Sequence, residues 1–222
     1  SERDEATGTQ QLSIRDSTFF TLFIVSNDID AARAARGAAS CRWMESLQGH
    51  LLVAAPSLLD PNFRRTVVLV AEHGEDGALG VVLNRPSETE VAEAVPPLAG
   101  LVEEGDVVHV GGPVQPSAVV VLAEFDDPST APLIVVGDVG FLPSEVDHET
   151  LGDTRRARVF AGYAGWAPGQ LEAELDESSW IVETALPDDV FAPAAELWSD
   201  VLRRKGGQYA ILARMPPDPS LN

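Results

Sequence analysis

The side chains with the most chemistry to offer gather at the ends of apolar runs. Asp60, Asn62 and Arg64 stand in a turn between two valine- and leucine-rich segments, and Asn84, Arg85 and Pro86 close a third. Gly111 and Gly112 close a fourth, while Tyr163, Trp166, Gln170 and Glu174 crowd the stretch FAGYAGWAPGQLEAELDESSW over residues 160–180. Polar groups at strand ends are where α/β sheets often place their sites. Arg85 and a helix N-terminus near Pro168 together offer a seat for a small anion, through guanidinium donors and unbonded backbone N–H groups. Gln170 and Glu174 are four apart and share a helical face. Asp60, Asn62, Asn84, Arg85, Gly111, Gly112, Tyr163, Trp166, Gln170 and Glu174 are therefore the candidate ligand-binding set. The competing reading is a structural network, with Asn and Asp capping turns and Arg85 pairing with an acid such as Glu174.

Other chemistries find less support. His50, His73, His109 and His148 are scattered, without the close spacing of a helical metal motif. There is no Gly-x-Ser-x-Gly elbow, and Ser57, Ser117, Ser144 and Ser179 sit where capping residues sit. Gly111-Gly112-Pro113 lacks both the Walker lysine and the Rossmann glycine spacing, and reads as a tight turn. No catalytic residue, metal site or cofactor is assigned. Cys41 is the single cysteine, so no intrachain disulfide can form, which fits a reducing cytoplasm.

Charge narrows the partners. Of 35 acidic and 15 basic residues, six and five precede Met44, which leaves 29 acids and ten bases from there on. DNA binding rests on lysine and arginine displacing counterions, and the only lysine is Lys205. The short basic clusters (Arg64/Arg65, Arg155/Arg156/Arg158 and Arg203/Arg204/Lys205) read as solvated faces or helix C-termini. Direct DNA binding is not expected. Phe19–Val25 is far short of the roughly 20 apolar residues that span a bilayer, and no membrane association is expected. The partner is an unidentified protein or small molecule.

Apolar periodicity and turn residues predict strands over His50–Ala55, Thr66–Glu72, Ala78–Leu83, Val107–Val110, Ala118–Ala123, Leu133–Val136, Ala157–Tyr163 and Trp180–Thr184. A last short strand is expected over Gln208–Arg214. The turn His73–Gly77 predicts a hairpin. Ser87 with Glu90 resembles a capping box opening a short helix to Ala94, stopped by Pro96-Pro97. Further helices are expected over Pro168–Leu175, with Pro168 in the first turn, and over Pro193–Arg204, closed by Gly206-Gly207. Glu145–Leu151 reads as a short helix or loop. Residues 1–43 read as an appendage with little fixed structure, native or not, and 44–222 as the domain.

Four stretches together resemble the AlgH/YqgE family of bacterial proteins: GHLLVAAPSLLDPNFRRTVVLVAEH (Gly49–His73), GALGVVLNRP (Gly77–Pro86), VGGPVQPSAVVVL (Val110–Leu122) and GYAGWAPGQLEAEL (Gly162–Leu175). The resemblance covers roughly Leu47 to the C-terminus. It implies an α/β (α+β) fold, a compact single domain with a mixed, partly barrel-like sheet flanked by a few helices. The family's biochemical activity is not established, and members often carry the label of transcriptional regulator. Three functions follow from the resemblance and the residues. The first is a cytoplasmic, non-enzymatic binding or regulatory domain. The second is an enzyme or small-anion binder using the Arg85/Tyr163/Glu174 corner. The third is a transcriptional regulator.

Overall fold

A computed structural model describes residues 21–22, 46–142 and 154–215. Its centre is one mixed sheet of eleven strands. In chain order they are β1 (Thr21–Leu22), β2 (His50–Ala54), β3 (Val67–Gly74), β4 (Gly77–Val82), β5 (Pro86–Glu90), β6 (Val107–Val110), β7 (Val114–Phe125), β8 (Ile134–Val136), β9 (Val139–Phe141), β10 (Thr154–Trp166) and β11 (Trp180–Thr184). Among the described residues four α-helices flank it: α1 (Val91–Ala94), α2 (Gln170–Asp176), α3 (Ala194–Lys205) and α4 (Tyr209–Leu212). The α+β class is as the family resemblance implies.

β10 organises the sheet because it is long enough to serve two halves. Its first part pairs antiparallel with β7 and, at Phe160 and Ala161, parallel with β6. Its last three residues pair antiparallel with β4. The register slips between Ala161 and Tyr163, and Gly162 takes φ 72° at that point. A left-handed bulge residue of this kind bends the strand from one set of partners to the other, and glycine adopts it without strain. β3, β2 and β11 continue outward from β4, and β9 and β8 from β7.

The valine and leucine runs become strands because both of their faces are covered. Leu51, Val53, Leu69, Val81 and Phe160 face one apolar cluster, beneath Leu197, Trp198, Val201 and Leu202 of α3. Leu52, Val68, Val70 and Val82 face another with Trp166 and Trp180. A third cluster joins Val91, Val95 and Leu98 to Val119, Val121 and Val159.

The sheet curls without closing by strand pairing among the described residues. A Cβ on Gly49, at the start of β2, would lie 2.9 Å from the Val135 carbonyl oxygen in β8. The outer edge of β11 is occupied by side chains of α3: Lys205 Nζ donates to the Val182 carbonyl (2.8 Å) and Arg204 to that of Thr184 (3.2 Å). Carbonyls held this way cannot accept a further strand. Arg204 is itself anchored on buried Asp189, with both N···O distances at 2.8 Å.

Several elements differ from expectation. Ser87 does not cap a helix; Pro86–Glu90 pairs with β6, and α1 begins only at Val91. Pro168 lies in the turn before α2, whose N-cap is Gly169. Gln208–Arg214 holds the helical turn α4 rather than a strand, packed behind α3 with Lys205 Nζ 5.3 Å from the Tyr209 ring. β9 has no counterpart in the sequence-based expectation. The Arg155/Arg156/Arg158 cluster lies in a strand, not at a helix end. The Arg203/Arg204/Lys205 cluster does occupy the last turn of α3, where cations complement the helix dipole. Glu145–Leu151, Cys41, Ser144 and His148 lie outside the described residues.

Candidate functional site

The corner around α2 is built on a carboxylate shared by two indoles. Glu174 Oε2 accepts from Trp166 Nε1 at 2.9 Å and from Trp180 Nε1 at 2.8 Å. Its other oxygen accepts from Gln170 Nε2 at 2.9 Å, and Gln170 Oε1 accepts from the Ala167 N–H. Both tryptophans are almost fully buried, and Leu171 beside them is 1% exposed. The indoles meet edge to face at 6.1 Å, and Phe63 packs on both. Phe63 was not singled out in the sequence; its signal is a lone aromatic in the otherwise polar turn DPNFRR. A second anchor flanks this corner. His73 Nδ1 accepts from the Leu47 N–H, so its proton sits on Nε2, which donates to Glu172 Oε1 at 2.8 Å. Partial burial opposes ionisation of Glu172, but hydrogen bonds from its own backbone N–H and from His73 outweigh it and hold the carboxyl below its usual range.

The turn that carries Phe63 is fixed from β4. Asn84 Oδ1 accepts from the Val67 N–H (2.8 Å) and Asn84 Nδ2 donates to the Arg65 carbonyl (2.9 Å). The neighbouring Arg85 donates through one terminal nitrogen to the carbonyls of Arg64 (2.7 Å) and Pro61 (3.4 Å). Arg85 is half-exposed and holds carbonyls of the turn, while Glu174 is engaged by the indoles instead. Asp60 and Asn62 are exposed, and Asp60 Oδ1 accepts from the Asn62 N–H.

Gly111 and Gly112 sit where backbones cross. The Gly111 N–H donates to the Ala161 carbonyl and its own carbonyl accepts from Val82, so one residue ties β10 to β4. A Cβ on Gly112 would fall 2.2 Å from the Tyr163 carbonyl oxygen, a distance no side chain tolerates. Tyr163 is half-buried opposite Val114. The candidate residues thus form three local arrangements: the tryptophan corner, the Asn84/Arg85 clamp and the glycine crossing. Phe63 links the first two.

A cleft of about 580 Å³ lies elsewhere, between the Leu101–Asp106 loop and the first half of β10. Its basic side chains differ in how they are compensated. Arg155 pairs with Glu124 (3.1 Å) and Asp126 (2.5 Å), and Arg156 with Glu124 (2.5 Å) and Asp188 (2.6 Å). Arg158 instead donates to the carbonyls of Ala192 (3.0 Å) and Phe191 (3.1 Å). Burial lowers its pKa, with Asp106 opposing and Arg156 assisting. Beside it His109 is 7% exposed and tilted on Phe160. Burial, then the Arg158 charge, pushes its imidazole down to about 4, so it is neutral at physiological pH. Sequence reasoning treated His109 and Arg158 as structural or solvated, because neither has a motif around it.

Among the described residues no three His, Cys, Asp or Glu side chains gather as a metal site, and no helix is long and apolar enough to cross a membrane.

The chain is similar to proteins of several bacteria. The chain is 46% identical over 187 residues to the UPF0301 protein of Streptomyces coelicolor, covering 81% of this chain and 97% of that one. It is 42% identical over 181 residues to the UPF0301 protein of Mycobacterium tuberculosis, covering 78% and 90%. Among solved structures, protein DIP2367 of Corynebacterium diphtheriae superposes with a TM-score of 0.72 at 31% identity, over 79% of this chain and 95% of that one. The AlgH protein of Pseudomonas aeruginosa gives 0.60 at 30% identity, over 81% and 98%. The family described as AlgH-like matches residues 51–210, a span that contains the tryptophan corner, the Asn84/Arg85 clamp, the glycine crossing and the cleft; the chain belongs to that family.

Proposed function

We propose that this protein is a non-enzymatic binding domain of the cytoplasm. The observation that carries the reading is how the reactive-looking side chains are spent. Glu174 accepts from two indoles and an amide, Asn84 bonds two backbone groups, and Arg85 holds carbonyls. No described buried side-chain nitrogen or oxygen lacks a partner. A network so completed stabilises a fold but has no free acid, base or nucleophile to offer a substrate. The remaining concave feature, the cleft by His109 and Arg158, presents hydrogen-bonding groups without a nucleophile–base pair. The chain's formal charge of −20 weighs against the regulator reading, because a chain so acidic would repel a phosphate backbone.

The test is thermal unfolding in the presence of a panel of metabolites. A ligand of the folded state at about 100 times its Kd stabilises by about 2.7 kcal/mol. At least one compound should raise Tm in a concentration-dependent way. If every compound leaves Tm unchanged, the small-molecule form of the reading fails.

A further inference from the structure

We infer that the cleft between the Leu101–Asp106 loop and β10 is a binding site for a small organic monoanion carrying a hydrogen-bond donor beside its charged group, as in an α-hydroxy acid. This rests on the binding reading above and gives it a place and a ligand class.

Three groups converge on the cleft. The first is His109. Its Nδ1 lies 3.1 Å from the Val107 carbonyl, which can only accept, so the ring proton is on Nδ1 and Nε2 carries a lone pair. Nε2 has no partner among the described residues; since no described side-chain nitrogen that is itself buried lacks one, this atom opens onto the cleft, although the residue as a whole is more than nine-tenths buried. It is an acceptor waiting for a donor.

The second is Arg158. His109 and Phe160 are register partners on parallel strands, and Arg158 is two residues before Phe160. Residues two apart share a face of a strand, so Arg158 and His109 emerge on the same side of the sheet. Arg155 and Arg156 are each matched by two carboxylates or more, whereas no described carboxylate pairs with Arg158. Its two backbone contacts use part of a five-donor fork, and its charge, which Asp106 compensates only at longer range, is bound by no described carboxylate.

The third is the edge of β10 itself. β6 pairs with β10 only at Phe160 and Ala161, and no described strand covers Thr154–Val159 on that side. The Ala161 carbonyl faces this edge, since it accepts from Gly111. Strand alternation turns the N–H and C=O of Ala157 the same way. A backbone amide therefore borders the cleft near Arg158.

Together these groups select a ligand. Arg158 and the Ala157 N–H suit a carboxylate. The neutral His109 accepts a hydroxyl or amino proton and repels an oxygen that has none. Glu103 and Asp106 stand on the opposite wall and disfavour a second negative charge. A carboxylate with an adjacent hydroxyl fits better than a bare carboxylate or a phosphate.

The decisive experiment follows the ring nitrogens of His109 in the full, ¹⁵N-labelled chain by long-range ¹H–¹⁵N NMR. Lactate, propionate and inorganic phosphate are titrated separately. Lactate is expected to shift the His109 Nε2 resonance and to bind about tenfold more tightly than propionate, the value of one hydrogen bond. Phosphate is expected to bind more weakly than lactate. Arg158→Gln should abolish the lactate shift; should that variant not fold, the lactate–propionate comparison on the unchanged protein decides alone. Equal effects of lactate and propionate, tighter binding of phosphate, or no shift at His109 would each overturn the inference. A metabolite that stabilises the parent and Arg158→Gln equally would overturn this site while leaving the binding reading intact.

Discussion

Replacing Glu174 by alanine tests whether the tryptophan corner belongs to the fold. The change removes one acceptor from two buried indole N–H groups, held at 2.9 and 2.8 Å, and a third bond from Gln170. Hydrogen bonds to a charged group contribute about 1.5–3 kcal/mol each, and an orphaned buried donor costs about 1–3 kcal/mol. Glu174 is half-buried, so water entering the vacated space recovers part of the loss. The net expectation is roughly 2–4 kcal/mol, a large part of the roughly 5–15 kcal/mol that holds a typical domain together. Glu174→Gln keeps a carbonyl oxygen with two lone pairs and should lose only about 1 kcal/mol. Urea unfolding followed by tryptophan fluorescence reads both variants directly, since the probes are the residues concerned. The midpoint should fall with an unchanged slope. A Glu174→Ala protein within about 0.5 kcal/mol of the parent, inside the range of ordinary surface changes, would refute the reasoning and free Glu174 for a functional role.

Other predictions follow from the same geometry. Trp166→Ala should cost about 3–5 kcal/mol, as for other buried tryptophans, and give little soluble protein. His109 makes stability depend on pH. Its folded pKa of about 4 lies below its unfolded 6.5, so the unfolded chain binds the extra proton first. Its contribution is complete above pH 6.5 and is lost as pH falls from there towards 4, by up to about 3 kcal/mol. His109→Gln should flatten that part of a denaturation profile, and an unchanged slope between these pH values would contradict the assignment. Gly112→Ala should fail to fold or lose several kcal/mol, because its Cβ would meet the Tyr163 backbone at 2.2 Å. A gel shift with duplex DNA at physiological salt should show no specific complex, and sub-micromolar, salt-sensitive binding would count against the non-DNA reading.

The main strands were legible in the sequence because valine-rich runs bounded by Gly, Pro and Asp have few other ways to bury their faces. β5 was not legible. PSETE is polar, and Ser87 with Glu90 mimics a capping box, yet these residues extend because β6 offers an edge at His109 and Val107. Tyr209–Leu212 is too short for periodicity to tell helix from strand, and its packing behind α3 decides it. The candidate residues were recognisable by type but not by partner. Glu174 and Arg85 are of types that pair with each other, but two tryptophans claim the first and the Arg64 carbonyl claims the second. Arg158 looked like one of a solvated triplet because the carbonyls that hold it, at Phe191 and Ala192, are more than 30 residues away.

The central claim is that this domain binds without converting what it binds. Equilibrium dialysis of the purified full chain against a defined metabolite mixture, with mass spectrometry of both chambers over time, tests it in one measurement. The account predicts that at least one compound is retained on the protein side and that the total amount of every compound stays constant. A compound that falls at a rate proportional to protein concentration, with a matching new mass, would contradict it and make the domain an enzyme.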